Sequence, residues 1–211
     1  MRTKHLILFT FLIVSAACTK SISKVACIGD SITEGYGLAQ QSKTSYPVAL
    51  DSILGQDFNV LNLGRSATTL QKKGDFPYWI CKEFSNVFEF EPDIIVLKLG
   101  TNDTKPQNWN SENYKKDYQA LIDTLKTISS EPKIYLCLPV PVFKTKWGIN
   151  DSTIVNGVIP IIKEIAEKNN LPVIDLYHQM MDQGANFPDS IHPNEQGARK
   201  MAEIIAREIK I

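Results

Sequence analysis

The chain has 211 residues, 43% of them hydrophobic and 22% charged, and its 23 Lys and Arg are balanced by 23 Asp and Glu. This is the composition of a soluble globular protein; it excludes intrinsic disorder, collagen-like repeats and a multi-span membrane protein. The zero balance offers no basic footprint for nucleic acid, and the length suits one domain.

The charge is uneven along the chain. Arg2, Lys4 and His5 precede an apolar run over 6–17, and Cys18 follows, which is the order of an export signal: basic region, apolar region, small-residue cleavage zone. The run has 12 residues, short of the ~20 that a membrane-spanning helix needs. Ser15-Ala16-Ala17-Cys18 resembles a bacterial lipobox, with Ser15 where Leu is usual. Cys18 is therefore expected to be lipidated as the first mature residue, although Ser15-x-Ala17 also satisfies ordinary signal cleavage. Either route exports the protein, to the periplasm or as a lipoprotein anchored at the bacterial cell envelope. Removing 1–17 takes away two of the 23 basic residues and no acidic one, which leaves a net charge of −2 on a single expected domain, 18–211.

Short β-rich runs at 24–28, 58–63, 93–99, 133–138 and 172–176 alternate with amphipathic stretches at 46–54, 78–88, 112–128, 153–169 and 194–209. Such alternation predicts a parallel sheet with helices on its faces, and Ile94-Ile95-Val96-Leu97 is continuously apolar, as a strand covered on both sides should be. Two long loops, 101–111 and 139–152, follow strands and are expected to wall a crevice at the carboxyl ends of the sheet. Cys27 and Cys137 sit inside strand-like runs and read as buried free thiols. No cysteine pair has metal-ligand spacing and only three His are present, so no metal is expected. Neither a Gly-x-Gly-x-x-Gly run nor a P-loop occurs, and no cofactor is expected.

Four polar blocks fall at the predicted crevice. Gly29-Asp30-Ser31-Ile32-Thr33 ends the first strand and presents a hydroxyl. Asp189-Ser190-Ile191-His192-Pro193 precedes the last helix and sets a carboxylate three residues from an imidazole, close enough in a tight turn for the carboxylate to orient the ring that takes a serine proton. Asn62-Leu63-Gly64-Arg65-Ser66 and Gly100-Thr101-Asn102-Asp103 end the second and third strands and supply amide and backbone N–H groups of the kind an oxyanion needs. Taken singly each block also reads as a cap or a turn.

Together and in this order, the blocks resemble the GDSL or SGNH hydrolase family. The resemblance covers nearly all of the expected mature chain and implies a three-layer α/β/α sandwich around a flavodoxin-like, five-stranded parallel sheet. It implies Ser31 as nucleophile, His192 as general base and acid, and Asp189 as the residue that orients His192. The oxyanion hole would be formed by Ser31 N–H, Gly64 N–H and the Asn102 amide. One departure stands out: the second block usually continues Gly-x-Ser-Gly, whereas Ala67 follows Ser66 here. The Gly-x-Ser-x-Gly elbow of α/β-hydrolases is absent.

The stretches 105–109, 138–141 and 147–149 resemble the branch containing sialate O-acetylesterases and acetylxylan esterases, which implies an esterase acting on a small-molecule or glycan ester. Asp30, Asn108, Trp109 and Trp147 are candidate substrate contacts, the two indoles as sugar-stacking surfaces or as plain loop packing. Arg65, Lys72 and Lys73 could attract an acidic sugar, though surface lysines are usually only solvated. Two competing readings remain on the same scaffold: a lysophospholipase or thioesterase for longer acyl chains, and a non-catalytic glycan-binding protein.

Overall fold

Five aliphatic and β-branched runs pair into one parallel sheet: β1 (Ser23–Gly29), β2 (Phe58–Gly64), β3 (Ile94–Lys98), β4 (Lys133–Cys137) and β5 (Val173–Ile174), in the order β2-β1-β3-β4-β5. The structure, a computed structural model, describes residues 21–209; the expected export signal and Cys18 lie outside the described residues. The helices are α1 (Ser31–Glu34), α2 (Gln41–Thr44), α3 (Tyr46–Leu54), α4 (Lys82–Phe90), α5 (Ser111–Leu125), α6 (Asp151–Thr153), α7 (Ile159–Asn169), α8 (Leu176–Gln179) and α9 (Glu195–Ile209).

Successive strand residues point to opposite faces, and both faces are covered. Ala26 and Ile28 of β1 pack with Val87 of α4, Leu121 of α5 and Ile162 of α7. Val25 and Cys27, one step out of phase, pack with Leu50 of α3 and Met201 and Ile205 of α9. Hence the central strands read as unbroken apolar runs over 25–28 and 94–97, and the architecture is the expected three-layer α/β/α sandwich with flavodoxin-like strand order. β1 pairs with β2 on one side and β3 on the other. The winding reverses between those neighbours, so a crevice opens where β1 and β3 end.

Three segments differ from the periodicity. The stretch predicted as one helix from 78 splits into a 3-10 turn, Tyr78–Ile80, and α4, with Cys81 extended between them. Tyr78 Oη donates to Leu63 O at 2.6 Å and Trp79 Nε1 to Leu70 O at 2.8 Å, which pins the first turn to the sheet rather than to the helix axis. The stretch at 153–169 contains a π-helical turn, Ile154–Val158, before α7. Pro160 removes an N–H from the ladder there, and the wide turn accommodates it. The last helix starts at Glu195, and Asn194 caps it by accepting the Gly197 N–H at 2.9 Å.

Cys27 and Cys137 are buried free thiols, and burial pushes both well above the ordinary thiol range. Among the described residues no cluster could hold a metal ion, and no helix is long and apolar enough to cross a membrane.

Candidate active site

β1 ends at Gly29 and the chain turns directly into α1, so Ser31 is the first residue of a helical turn at the sheet's carboxyl edge. Asp30 caps the turn by accepting the Ile32 N–H at 3.0 Å. Ser31 Oγ lies 2.8 Å from His192 Nε2. On the other side of the ring, His192 Nδ1 lies 2.7 Å from Asp189 Oδ2. Asp189 Oδ1 meanwhile accepts the backbone N–H groups of Ile191 at 2.9 Å and His192 at 2.7 Å. Burial works to raise the Asp189 carboxyl, but those N–H donors and the His192 ring outweigh it and hold it below the usual carboxylate value. An ionised Asp189 accepts from Nδ1–H, which leaves the Nε2 lone pair facing the Ser31 hydroxyl.

The cleft beside Ser31, about 240 Å³, is lined by Ser31, Tyr36, Ser66, Ala67, Asn102, Lys105, Trp147, Ile149 and His192. The Asn102 side chain is buried in its wall, and its Nδ2 donates to Thr68 O at 3.1 Å with one of its two protons. Gly64 does not line the cleft. Its N–H donates to Asn62 Oδ1 at 2.9 Å, and a Cβ placed on it would stand 2.1 Å from Glu34 N. Glycine is required at 64 because β2 closes against the α1 turn, and the expected donor role of Gly64 is corrected. Ala67 occupies the cleft wall instead, with φ 66. That left-handed conformation favours glycine, which accounts for the glycine usual at this point of the second block.

Three of the four candidate substrate contacts point away from the cleft. Asp30 is fully buried and paired with Lys98 Nζ at 3.2 Å. Asn108 is 7% exposed; its Nδ2 donates to Asp75 Oδ1 at 2.9 Å and to Asn102 O at 3.0 Å, so it braces its loop. Trp109 packs on the Tyr114 ring at 5.6 Å and over Gly157, where a Cβ would stand 2.3 Å from the indole. Gly157 lies in the π-helical turn, and the missing side chain there is what seats this indole.

Trp147 is different. The Lys146 and Ile149 backbones bond each other in both directions, and Trp147 and Gly148 between them have φ 53 and 80. This is a tight mirror-type turn, with a 53% exposed indole at its tip, 5.9 Å from the His192 ring. Tyr36, 47% exposed, also stands beside His192, with ring centroids 4.7 Å apart; nothing in its local sequence sets it apart from a loop tyrosine. Arg65 and Lys72 lie over the Phe76 and Trp79 rings, and neither they nor Lys73 line the cleft.

The loop that carries Ala67 is braced by Asp103, whose two oxygens accept the Leu70 and Gln71 N–H groups, each at 2.9 Å. Burial pushes Asp103 up to about 6, the two backbone bonds only partly countering it. A carboxyl raised on folding contributes stability that is complete below about pH 4 and is lost as pH rises through about 6, roughly 3 kcal/mol in all. In paired urea unfolding, the stability of the wild type minus that of Asp103→Asn is expected to fall by about 3 kcal/mol from about pH 4 to about pH 7. A pH-independent difference would contradict the raised carboxyl.

A sequence model described as the GDSL-like Lipase/Acylhydrolase family matches residues 27–200. An acetylxylan esterase of Xylanibacter ruminicola is 43% identical over 206 residues, which cover 89% of this chain and 43% of that protein. The chain spans less than half the length of the curated relatives it matches. Among solved structures, a carbohydrate acetylesterase from Sinorhizobium meliloti has a TM-score of 0.75 at 18% identity, covering 89% of this chain and 98% of that one. An acetylxylan esterase from Geobacillus stearothermophilus has a TM-score of 0.72 at 22% identity, covering 90% and 95%. At those identities the likeness to the two structures is one of fold, whereas the match over 27–200 spans most of the chain. The chain belongs to the GDSL-like lipase/acylhydrolase family.

Proposed function

We propose that this protein is a serine esterase that removes O-acetyl groups from a carbohydrate. The observation that carries the reading is the relay of Ser31, His192 and Asp189, at 2.8 and 2.7 Å, opening on a cleft with amide donors in its wall. His192 Nε2 takes the Ser31 proton as Oγ attacks the acetyl carbon, and Asp189 stabilises the imidazolium. His192 then gives that proton to the leaving sugar hydroxyl. Water attacks the acetyl-serine by the same route, releasing acetate and restoring Ser31.

The oxyanion formed in each half of the cycle is met by Ser31 N–H, Ala67 N–H and the second Asn102 Nδ2 proton. The Ser31 N–H, at the start of a helical turn, has no intrahelical acceptor, and Ala67 lines the same cleft, which supports its backbone N–H as a further donor. The acetylxylan esterase relative supports a short acyl group on a sugar, and so does the small cleft. Trp147 supports the carbohydrate: holding a bulky residue at positive φ costs about 1–2 kcal/mol, and here it puts an exposed indole against His192.

Acetate release from acetylated xylan and from other O-acetylated glycans, run beside p-nitrophenyl esters from acetyl to long acyl, tests the reading. Preference for long acyl chains would favour the lysophospholipase or thioesterase alternative, and glycan binding without acetate would favour the binding protein. Trp147→Ala is expected to lower kcat/KM on an acetylated xylo-oligosaccharide by about 3- to 10-fold, the worth of one aromatic contact, and to leave p-nitrophenyl acetate within about twofold. Equal losses on both substrates would remove Trp147 from the sugar site.

The export signal supports action at the bacterial cell envelope, with Cys18 as a lipid anchor. The intact mass of the membrane-associated protein checks this: a chain starting at an acylated Cys18 is expected, and an unmodified chain starting there would show ordinary cleavage.

A further inference from the structure

The three proposed oxyanion donors stand on separate elements: Ser31 opens α1, Ala67 lies in the loop after β2, and Asn102 begins the 3-10 turn after β3. Each end of α1 is tied to one of the other two. At its start, the Asp30 carboxylate meets Lys98 Nζ at 3.2 and 3.3 Å, and the same ammonium lies 3.5 Å from Thr101 Oγ1, beside Asn102. Both side chains of this pair are fully buried. At its end, Glu34 Oε2 accepts the Ser66 N–H at 2.8 Å and also the Ser66 hydroxyl, immediately before Ala67.

A fully buried ion pair rarely repays its desolvation, and apolar residues of similar volume are often as good or better for stability. A pair of this kind directly behind the nucleophile therefore calls for a positional explanation. Lys98 is the last residue of β3 and pairs in register with Gly29, so its ammonium links the end of one strand to the end of the next. Glu34 does the same between α1 and the loop from β2.

We infer that Asp30–Lys98 and Glu34–Ser66 are two tethers that hold the oxyanion donors at one spacing, and that Lys98 and Glu34 are positioning residues for the reaction; the inference rests on the esterase reading above. Displacing a donor by about 1 Å costs on the order of 100-fold in rate. The exposed rings of Tyr36 and Trp147 lie outside both tethers, so ground-state binding of the substrate is left in place and the loss falls on kcat.

The test uses three variants of the full domain. Asp30→Asn with Lys98→Met removes both charges together and leaves an amide oxygen to cap Ile32. Glu34→Ala removes the second tether, and Glu34→Gln keeps an oxygen that Ser66 can donate to. Active sites are counted by fluorophosphonate labelling of Ser31, and kcat per labelled site, KM for p-nitrophenyl acetate and the affinity of a boronic acid that forms a tetrahedral serine adduct are measured. The double variant and Glu34→Ala are expected to lose about 10- to 100-fold in kcat per site, with KM within about threefold and boronate affinity falling by the same factor as kcat. Glu34→Gln is expected to recover most of the loss.

Unchanged kcat per site in Glu34→Ala overturns the inference, because a role in folding alone would lower the number of sites and not their rate. Should the double variant fail to fold, the two Glu34 variants decide. A wild type that labels but releases no acetate overturns the acetylesterase reading alone, and the labelling rates of the variants then decide the tethers, slower supporting them and equal refuting them. A wild type that neither labels nor hydrolyses overturns both.

Discussion

Ser31→Ala is expected to reduce kcat on p-nitrophenyl acetate by about 10⁴-fold or more while leaving the urea midpoint near that of the wild type. The effect is large because in the proposed mechanism the Ser31 hydroxyl is the group that forms the acyl bond. Stability should change little, since Ser31 Oγ has His192 Nε2 as its hydrogen-bond partner and that ring borders the open cleft, where water can take the hydroxyl's place. His192→Ala is expected to cost about as much, and the double variant scarcely more than either, because residues that act on one proton transfer lose function as a unit. Near-wild-type turnover in Ser31→Ala, measured on protein freed of contaminating esterase, would end the serine mechanism.

Asn102→Ala is expected to cost about 10²- to 10³-fold in kcat, or roughly 3–4 kcal/mol of transition-state stabilisation, with KM nearly unchanged. A carboxamide suits the proposed role because one proton anchors it on Thr68 O while the other would be left for the developing oxyanion. The anchoring removes the need to reorient the donor during the reaction, and the buried wall makes the interaction stronger than it would be in water. The turn itself should survive the truncation, since the Asn102 carbonyl that receives Asn108 Nδ2 and Lys105 N–H belongs to the backbone. Asn102→Asp is expected to be worse, because it replaces a donor with a negative charge beside another forming one. A loss below about threefold in Asn102→Ala would assign the oxyanion to backbone donors alone.

A repeated motif shows how far local pattern reaches. Asp175 and His178 have the same three-residue spacing as Asp189 and His192, and the same geometry: Asp175 Oδ1 accepts the His178 N–H at 2.9 Å and Oδ2 lies 2.8 Å from His178 Nδ1. Yet that imidazole side chain is 56% exposed and, among the described residues, no serine is hydrogen-bonded to it, so the pair serves as the cap of α8. What separates the two copies is Ser31, which lies 161 residues from His192 in the chain and 2.8 Å from it in space. The sequence reading reached the second copy through the order of blocks along the chain, since Asp-x-x-His alone is only a cap.

By itself, the sequence determined the alternation of strands and helices and the double covering of the sheet, because periodicity is written in neighbouring residues, and the order of its four blocks carried the family resemblance that implies Ser31, Asp189, His192 and Asn102. Only the tertiary structure decided which way the flanking side chains face. Asp30 turns inward because Lys98 arrives on the adjacent strand, Trp109 packs partly buried against the core because Gly157 leaves room for it, and Gly64 is bound into the sheet edge by its contact with Glu34 and the Asn62 side chain. Ala67, unremarkable in the sequence except as a departure from glycine, comes to the cleft wall by its positive φ. The placing of Asp30, Trp109 and Gly64 depends on partners remote in the chain, Lys98, Gly157 and Glu34, and a packing contact between distant residues leaves no trace in the local order of either.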